Sequence, residues 1–192
     1  MTELTRTEIE QLDPEGMLHR ILQFPRQLQH AQEISQKAEF KFSSENVSKV
    51  CITGMGGSAI GGDIVRCYAL TNVSVPVLVS RYYALPASIQ AKSFVIASSY
   101  SGNTEETLSA YEEACRSNAN VACITSGGNL ATEARSKGQP IFLVPSGFPP
   151  RSALGFMTVP LFYSLHYAGL LNSPDEELAE TIELLDNLSQ KY

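Results

Sequence analysis

Five short apolar runs in the middle of the chain constrain its fold most. They are nearly continuous in apolar, often β-branched residues rather than alternating, and they occupy residues 50–53, 75–79, 93–98, 121–125 and 141–144. Strands of this kind are typical of a parallel sheet that helices cover on both faces. The helical stretches between the runs are 58–69, 104–117 and 129–137. The sequence therefore predicts an α/β fold, a doubly wound five-stranded parallel sheet flanked by helices.

Helical patterns also flank the predicted sheet on both sides. Apolar residues recur at helical spacing from residue 15 to about 40, with Pro25 as an expected break, so residues 1–45 are predicted to form an N-terminal helical arm. A helix at about 152–171 is hydrophobic nearly all round, and we expect it to be buried against another domain or subunit. An acidic amphipathic helix is expected from residue 175 to about 188.

The charge distribution and composition exclude several function classes. Residues 1–45 and 175–192 hold 14 acids and 6 bases, a net charge of −8, whereas residues 46–174 hold 6 acids and 8 bases, a net charge of +2. The middle suits a small anionic ligand, and its bases are too sparse for a nucleic-acid surface. The apolar runs are far shorter than the roughly 20 residues of a membrane span. Because the N-terminus also lacks the pattern of a secretory signal, we expect a cytoplasmic protein without nucleic-acid or membrane partners.

The four cysteines show no pattern of a metal site or of disulfide bonds. Cys51, Cys67, Cys115 and Cys123 lie among apolar neighbours, without Cys-x-x-Cys or histidine-rich spacing. Buried free thiols are therefore expected. We predict no metal and no other cofactor.

The glycine motif, residues 54–63, holds five of the 13 glycines of the chain between a predicted strand and a helix. Glycines let the backbone approach an anion closely, and a helix N-terminus favours negative charge. A tight strand-to-helix turn is the structural alternative. The motif also matches the dinucleotide fingerprint Gly-x-Gly-x-x-Ala, although Arg81 stands where that fingerprint expects an acid. An NADP-dependent oxidoreductase, with Arg81 on the 2′-phosphate, is a less favoured alternative.

The hydroxyl motif, residues 98–107, also lies between a predicted strand and a helix. It offers a turn at Gly102 and four hydroxyl groups that can donate to a phosphate, those of Ser98, Ser99, Ser101 and Thr104. The alternative is a capping box with Asn103 at the N-cap and Glu106 at N3. A capped helix needs fewer hydroxyls, and open α/β sheets bind ligands at strand carboxyl ends, so phosphate binding is favoured. It requires the carboxylates of Glu105 and Glu106 to lie on the flanks of the first turn.

Together the motifs resemble a known family. The glycine motif, residues 99–107 and the sequence Phe-Pro-Pro-Arg-Ser-Ala-Leu-Gly at 148–155 agree in order and spacing with the sugar isomerase (SIS) domain of bifunctional phosphoglucose/phosphomannose isomerases. The resemblance implies a flavodoxin-like SIS domain over residues 46–171, after the arm. Residues 172–192 are then a C-terminal helix that leads to a second SIS domain absent from this sequence.

The resemblance also implies a sugar-phosphate site and its residues. The implied substrate-binding residues are Gly57, Ser58, Ser99, Ser101, Thr104 and Arg151. The first two bind through the glycine motif, and Ser99, Ser101 and Thr104 of the hydroxyl motif hold the phosphate group. Arg151 is the implied catalytic cation beside the reacting carbons. Without the resemblance, Arg151 has two equal interpretations. A guanidinium that follows two stiffening prolines suits the enediolate of an aldose–ketose isomerisation, and the alternative is an arginine exposed to solvent.

No residue of the sequence is a convincing general base. His19 and His30 belong to the arm, and His166 falls in the apolar helix, where a packed histidine is the commoner outcome. In the family, two SIS domains occur in tandem, and the catalytic Glu, a ring-opening His and a Lys follow the first domain. We therefore expect a chain that binds glucose 6-phosphate, mannose 6-phosphate or fructose 6-phosphate, truncated before its catalytic base. It would pair as a homodimer or with a second SIS domain; a non-catalytic sugar-phosphate sensor is the alternative.

Overall fold

The computed structural model describes residues 5–40, 47–189 and 191. After a helical N-terminal region, its elements alternate between strands and helices, except that the third strand follows the second without a helix between them. In chain order they are α1 (Arg6–Leu12), α2 (Met17–Leu22), α3 (Phe24–Gln36), β1 (Lys49–Gly54), α4 (Gly56–Asn72), β2 (Val77–Ser80), β3 (Ser93–Ser98), α5 (Glu105–Arg116), β4 (Asn120–Thr125), α6 (Gly128–Ser136), β5 (Ile141–Leu143), a 3₁₀ turn (Pro150–Ser152), α7 (Leu154–Tyr167) and α8 (Asp175–Ser189).

The five strands form one sheet in the order β2-β1-β3-β4-β5, and every neighbouring pair is parallel. The prediction of a doubly wound parallel sheet is confirmed. The strand order reverses between β1 and β3, because the chain passes from β1 to the edge strand β2 before it returns to β3. In open α/β sheets the ligand crevice lies outside the carboxyl ends of the strands at such a reversal. We call this place the strand-end crevice.

Helices cover both faces of the sheet and explain the unbroken apolar runs. On one face α3, α4 and α7 pack against strand residues that include Ile52, Phe94 and Ile96. On the other face α5 and α6 pack against residues that include Cys51 and Val95. Because successive strand side chains point to opposite faces, a strand buried on both faces is apolar at every position.

The N-terminal region differs from the predicted arm in where its helices begin and end. The helix expected from residue 15 to about 40 is divided at Gln23 into α2 and α3, and α1 precedes them. Pro25 does not end a helix; it lies in the first turn of α3, where its missing N–H is not needed. Leu28 and Ala31 of α3 belong to the main core cluster. Residues 1–4 and 41–46 of the predicted arm lie outside the described residues.

The apolar helix α7 is buried by its own chain. Ten of its residues are buried, and it packs against α3, α4 and the sheet. The expectation that another domain or subunit covers this helix is therefore wrong. Side-chain hydrogen bonds also join its start to α3, because the Gln27 side chain donates to Ser152 O at 2.7 Å and accepts from Gly155 N at 2.7 Å.

Asp175 attaches the start of α8 to α3 and α7. Its carboxylate accepts hydrogen bonds from the side chains of Ser173 and Tyr163, from Gln32 Nε2 at 3.0 Å and from Gln36 Nε2 at 2.9 Å. The hydroxyl groups of Ser173 and Tyr163, followed by the two amides, hold the pKa of Asp175 well below its usual range. Burial and the Asp175 carboxylate raise the pKa of Tyr163 to about 12.

The cysteines are free but not uniformly buried. Cys51 and Cys123 are buried in the sheet, whereas Cys115 is partly buried and Cys67 on α4 is exposed, which corrects the prediction for the last two. Burial raises the pKa of Cys51 to about 12. The described ranges contain no group of three or more His, Cys, Asp or Glu side chains that could hold a metal ion. Nor does any helix there have the length and apolarity to cross a bilayer.

Candidate functional site

The sheet register brings the glycine motif and the hydroxyl motif side by side. Gly54 and Ser98 are register partners at the carboxyl ends of β1 and β3. The helices that follow, α4 from Gly56 and α5 from Glu105, therefore both begin at the strand-end crevice. A helix N-terminus carries backbone N–H groups without intrahelical partners and a partial positive charge. Two such ends at one crevice favour an anion.

The hydroxyl motif forms a turn held by hydrogen bonds of its own side chains. Ser99 Oγ lies 2.9 Å from Thr104 Oγ1 and accepts a hydrogen bond from Gly102 N at 3.1 Å. Ser99 is 1% exposed. Gly102 has a φ of +70°, and a Cβ there would lie 1.9 Å from the Gly127 carbonyl oxygen, so this position requires glycine. The turn is therefore fixed before any ligand binds.

The three implied phosphate-binding hydroxyls differ in their access to solvent. Ser101 is exposed, and its Oγ accepts a hydrogen bond from Asn103 N at 3.2 Å. Thr104 is partly buried, and Ser99 is buried. The structure thus brings all three into one turn and leaves Ser101 the most accessible to a ligand.

The alternative interpretation of the start of α5, a capping box with Asn103 at the N-cap, is wrong. The N-cap residue is Thr104 rather than Asn103, and its side chain caps no N–H group of the helix. Asn103 instead accepts a hydrogen bond from Asn129 N at 3.0 Å, at the start of α6. Because Asn103 bonds outward and Thr104 bonds to Ser99, no cap side chain covers the N-terminus of α5.

Ser58 connects the two motifs. It lies in the first turn of α4, is 7% exposed, and its Oγ accepts a hydrogen bond from Tyr100 N at 3.3 Å. Gly57, expected in a loop, is instead the second residue of α4. A Cβ at Gly57 would lie 3.0 Å from the Pro150 carbonyl oxygen, so glycine permits the 3₁₀ turn to approach the start of this helix.

Arg151 lies on that 3₁₀ turn, at the rim of the strand-end crevice. Its side chain is 68% exposed, and its Nη2 donates to Glu15 Oε2 at 3.1 Å. Glu15 belongs to a turn in which Gly16 N donates to Asp13 O at 3.0 Å and Leu18 N donates to the Asp13 carboxylate at 2.6 Å. The 3₁₀ turn of Arg151 therefore lies against the start of α4, and a carboxylate of the arm holds the guanidinium.

Tyr100 is a site residue that the sequence did not single out. It is 9% exposed, and its hydroxyl donates to Pro145 O at 2.9 Å and accepts from Phe148 N at 2.9 Å. The segment before the 3₁₀ turn is thus fastened to the hydroxyl motif. The available signal was an aromatic residue within a run of serines; its partners, 45 and 48 residues later, were not visible in the sequence.

Arg81 and His166 have their partners outside the hydroxyl motif. Arg81 forms an ion pair with Asp63 of α4, so its guanidinium already has an anionic partner. His166 stacks near Tyr167, with 5.3 Å between ring centroids. Phe40 lies 5.4 Å from Tyr167 and 6.2 Å from Phe94, near the start of β3. This end of α7 is therefore at the amino edge of the sheet, opposite the strand-end crevice.

Comparisons with known proteins agree with this fold. No family model matches the chain. A bifunctional phosphoglucose/phosphomannose isomerase of Caldicellulosiruptor bescii is 43% identical over 92% of this chain and 52% of that protein. The C-terminal domain of glucosamine-fructose-6-phosphate aminotransferase from Francisella tularensis has a TM-score of 0.69 at 21% identity, covering 91% of this chain and 54% of that chain. The NanR protein of Vibrio vulnificus, complexed with ManNAc-6P, has a TM-score of 0.54 at 18% identity, covering 85% of this chain and 67% of that chain.

The fold defines the class: the chain has the fold of a SIS domain. By its sequence it belongs to the bifunctional phosphoglucose/phosphomannose isomerase family. It spans about half the length of the curated relative it matches.

Proposed function

We propose that the strand-end crevice binds the phosphate group of glucose 6-phosphate, mannose 6-phosphate or fructose 6-phosphate. The observation that carries this proposal is the turn from Ser99 to Thr104, pre-formed by hydrogen bonds of Ser99 beside the N-terminus of α5, where no cap side chain bonds to the helix. Hydroxyl and backbone N–H donors at a helix N-terminus bind phosphate well. In this proposal Ser101 and Thr104 donate to the phosphate, Ser99 holds the turn, and Gly57 and Ser58 contact the sugar side.

The reaction that we propose for the whole protein is aldose–ketose isomerisation. A proton leaves the carbon next to the carbonyl, an enediolate forms, and a proton returns to the neighbouring carbon. Arg151 stabilises the negative charge on the enediolate oxygen, because a fixed cation next to developing charge lowers the barrier. To do so its guanidinium exchanges Glu15 for the substrate oxygen.

We assign the general base of this reaction to none of the described residues. His166 lies at the opposite edge of the sheet, and the ring of His30 packs against Phe156 at 5.6 Å. We place the base in the half of the family's proteins that this chain does not match. A second SIS domain, from that half or from another copy, is the partner that we propose. The cytoplasmic location stays a prediction.

Calorimetric titration with fructose 6-phosphate tests binding. We expect saturable heat at millimolar ligand, and Ser101→Ala should weaken binding about tenfold, because a hydrogen bond to a charged group contributes about 1.5–3 kcal/mol. Ser136→Ala is the matched control, since it removes an exposed hydroxyl at the end of α6, away from the crevice. No heat from the unaltered chain, or equal effects of the two substitutions, would overturn the binding proposal.

A second function, a non-catalytic sugar-phosphate sensor, is favoured by the ManNAc-6P complex of a protein with this fold. A coupled assay of fructose 6-phosphate conversion separates the two. Turnover by this chain alone would exclude the sensor and would locate a base within these residues. The isomerase would be supported if this chain binds fructose 6-phosphate without converting it, and if conversion begins when the other half of a family protein is added.

A further inference from the structure

Two carboxylates lie beside the proposed phosphate site, and their negative charge repels a bound phosphate. Glu105 and Glu106 are the first two residues of α5, directly after Thr104. Carboxylates in the first turn stabilise a helix, but each one repels a phosphate bound at the same end. A phosphate site here therefore needs these side chains to be held to one side.

Tyr83 lies beside both of these carboxylates and hydrogen-bonds to the first. Its hydroxyl donates to Glu105 Oε2 at 3.4 Å. The nearby charge of Glu106, followed by burial and the charge of Glu105, raises the pKa of the Tyr83 phenol. The phenol therefore stays protonated at neutral pH, as a donor requires.

The segment that carries Tyr83 is fastened on both sides. Before it, Arg81 forms an ion pair with Asp63 of α4. After it, Leu85 is buried, and its N–H donates to Glu113 Oε2 of α5 at 2.7 Å. Tyr83 is thus presented to the start of α5 from the side of β2, which pairs with β1 and not with β3.

We infer that Tyr83 is a positioning residue of the anion site: its hydroxyl holds the Glu105 carboxylate on the β2 side of α5, away from the phosphate position at Ser101 and Thr104. This inference rests on the proposed function, because it assigns a role at the same site. Loss of the hydroxyl releases the carboxylate, which then spends time near the helix N-terminus and competes with the phosphate for the same N–H groups.

Titration of four proteins with fructose 6-phosphate tests the inference: the unaltered chain, Tyr83→Phe, Glu105→Gln and the double variant. Tyr83→Phe should weaken binding about threefold, in line with the modest energies of exposed charges. Glu105→Gln should not weaken binding, and in its background Tyr83→Phe should have no effect. The threefold loss should also shrink at about 0.5 M salt, where charges are strongly screened. A purely structural role of Tyr83 predicts neither the rescue nor the salt dependence.

Tyr82→Phe is the matched control, because Tyr82 is the neighbouring tyrosine and is 74% exposed. Urea denaturation should give all variants the same unfolding midpoint. If Ser101→Ala weakens binding and Tyr83→Phe does not, or if Tyr83→Phe weakens it equally in both backgrounds, this inference is wrong and the proposed function stands. If the unaltered chain binds no sugar phosphate, both are wrong.

Discussion

The hydroxyl motif and the 3₁₀ turn of Arg151 border the same crevice, but they are held in different ways. Ser99 is 1% exposed and sits between two hydrogen-bonding partners within its own turn. Arg151 and its partner Glu15 are 68% and 69% exposed, and the partner comes from the distant arm. Buried hydrogen bonds are costly to leave unmade, whereas an exposed ion pair contributes about 0–1 kcal/mol. The hydroxyl motif is therefore formed before a ligand binds, whereas the Arg151 guanidinium can exchange Glu15 for another partner.

This difference suits the two tasks that we propose. A phosphate binds identically before and after an isomerisation, so its site gains from being rigid. The group that meets developing charge must release one partner to take another. The predictions below test whether this contrast is real, beginning with the largest expected change in the free energy of unfolding.

Gly102→Ala should have the largest effect. The residue has a φ of +70°, and its new Cβ would lie 1.9 Å from the Gly127 carbonyl oxygen, so the turn must move. We expect a loss of about 3 kcal/mol or more in urea denaturation. Gly138→Ala is the control, because its φ is +62° but nothing lies within 4 Å of the Cβ position, and it should lose only about 1 kcal/mol. Equal losses would mean that the turn is not tightly packed.

Ser99→Ala should destabilise the fold by about 1–2 kcal/mol, because it leaves Gly102 N and the Thr104 hydroxyl without this partner. Ser101→Ala, in the same turn but exposed, should change the unfolding free energy by no more than about 0.5 kcal/mol. Both should weaken fructose 6-phosphate binding. The two substitutions thus distinguish a residue that stabilises the turn, Ser99, from one that only contacts the ligand, Ser101. A clear loss of stability in Ser101→Ala would contradict this distinction.

Asp175→Asn provides a reference outside both regions. The folded-state pKa of Asp175 lies below the value of about 3.9 that an unfolded chain has, so its contribution to stability is complete above that pH and is lost as the pH falls below it. We expect a loss of about 1 kcal/mol at pH 7, and the difference from the unaltered protein should shrink below about pH 4. Glu180→Gln, an exposed change on the same helix, should show neither effect. Sugar-phosphate binding at pH 7 should not change.

Arg151→Ala and Glu15→Gln should have the smallest effect on stability, less than about 0.5 kcal/mol, because the pair is exposed. Their effects on ligand binding should be opposite. Arg151→Ala should weaken fructose 6-phosphate binding, and Glu15→Gln should tighten it about twofold, because the guanidinium no longer has a competing partner. If Arg151→Ala destabilises the fold as much as Ser99→Ala, the contrast between the two regions fails.

Much of the fold followed from the sequence because its causes are local. The apolar runs predicted five strands, although β2 begins two residues later than expected and ends at Ser80, and β5 is a residue shorter. Pro76 has no N–H to donate, which explains the late start of β2. The hydroxyl motif was located correctly between β3 and α5, but the N-cap was misplaced by one residue. Asn103 and Thr104 are both suitable caps, and Asn129 and Ser99 decided their roles.

The sequence by itself determined the parallel sheet and the position of the two motifs after β1 and β3, since hydrophobic pattern and turn chemistry act over a few residues. Only the tertiary structure decided that α7 is covered by its own chain, that Ser58 joins Tyr100, and that Arg151 pairs with Glu15. Those partners are 42 and 136 residues apart. A contact over such a separation exists only once the sheet and helices have packed, so no local pattern encodes it.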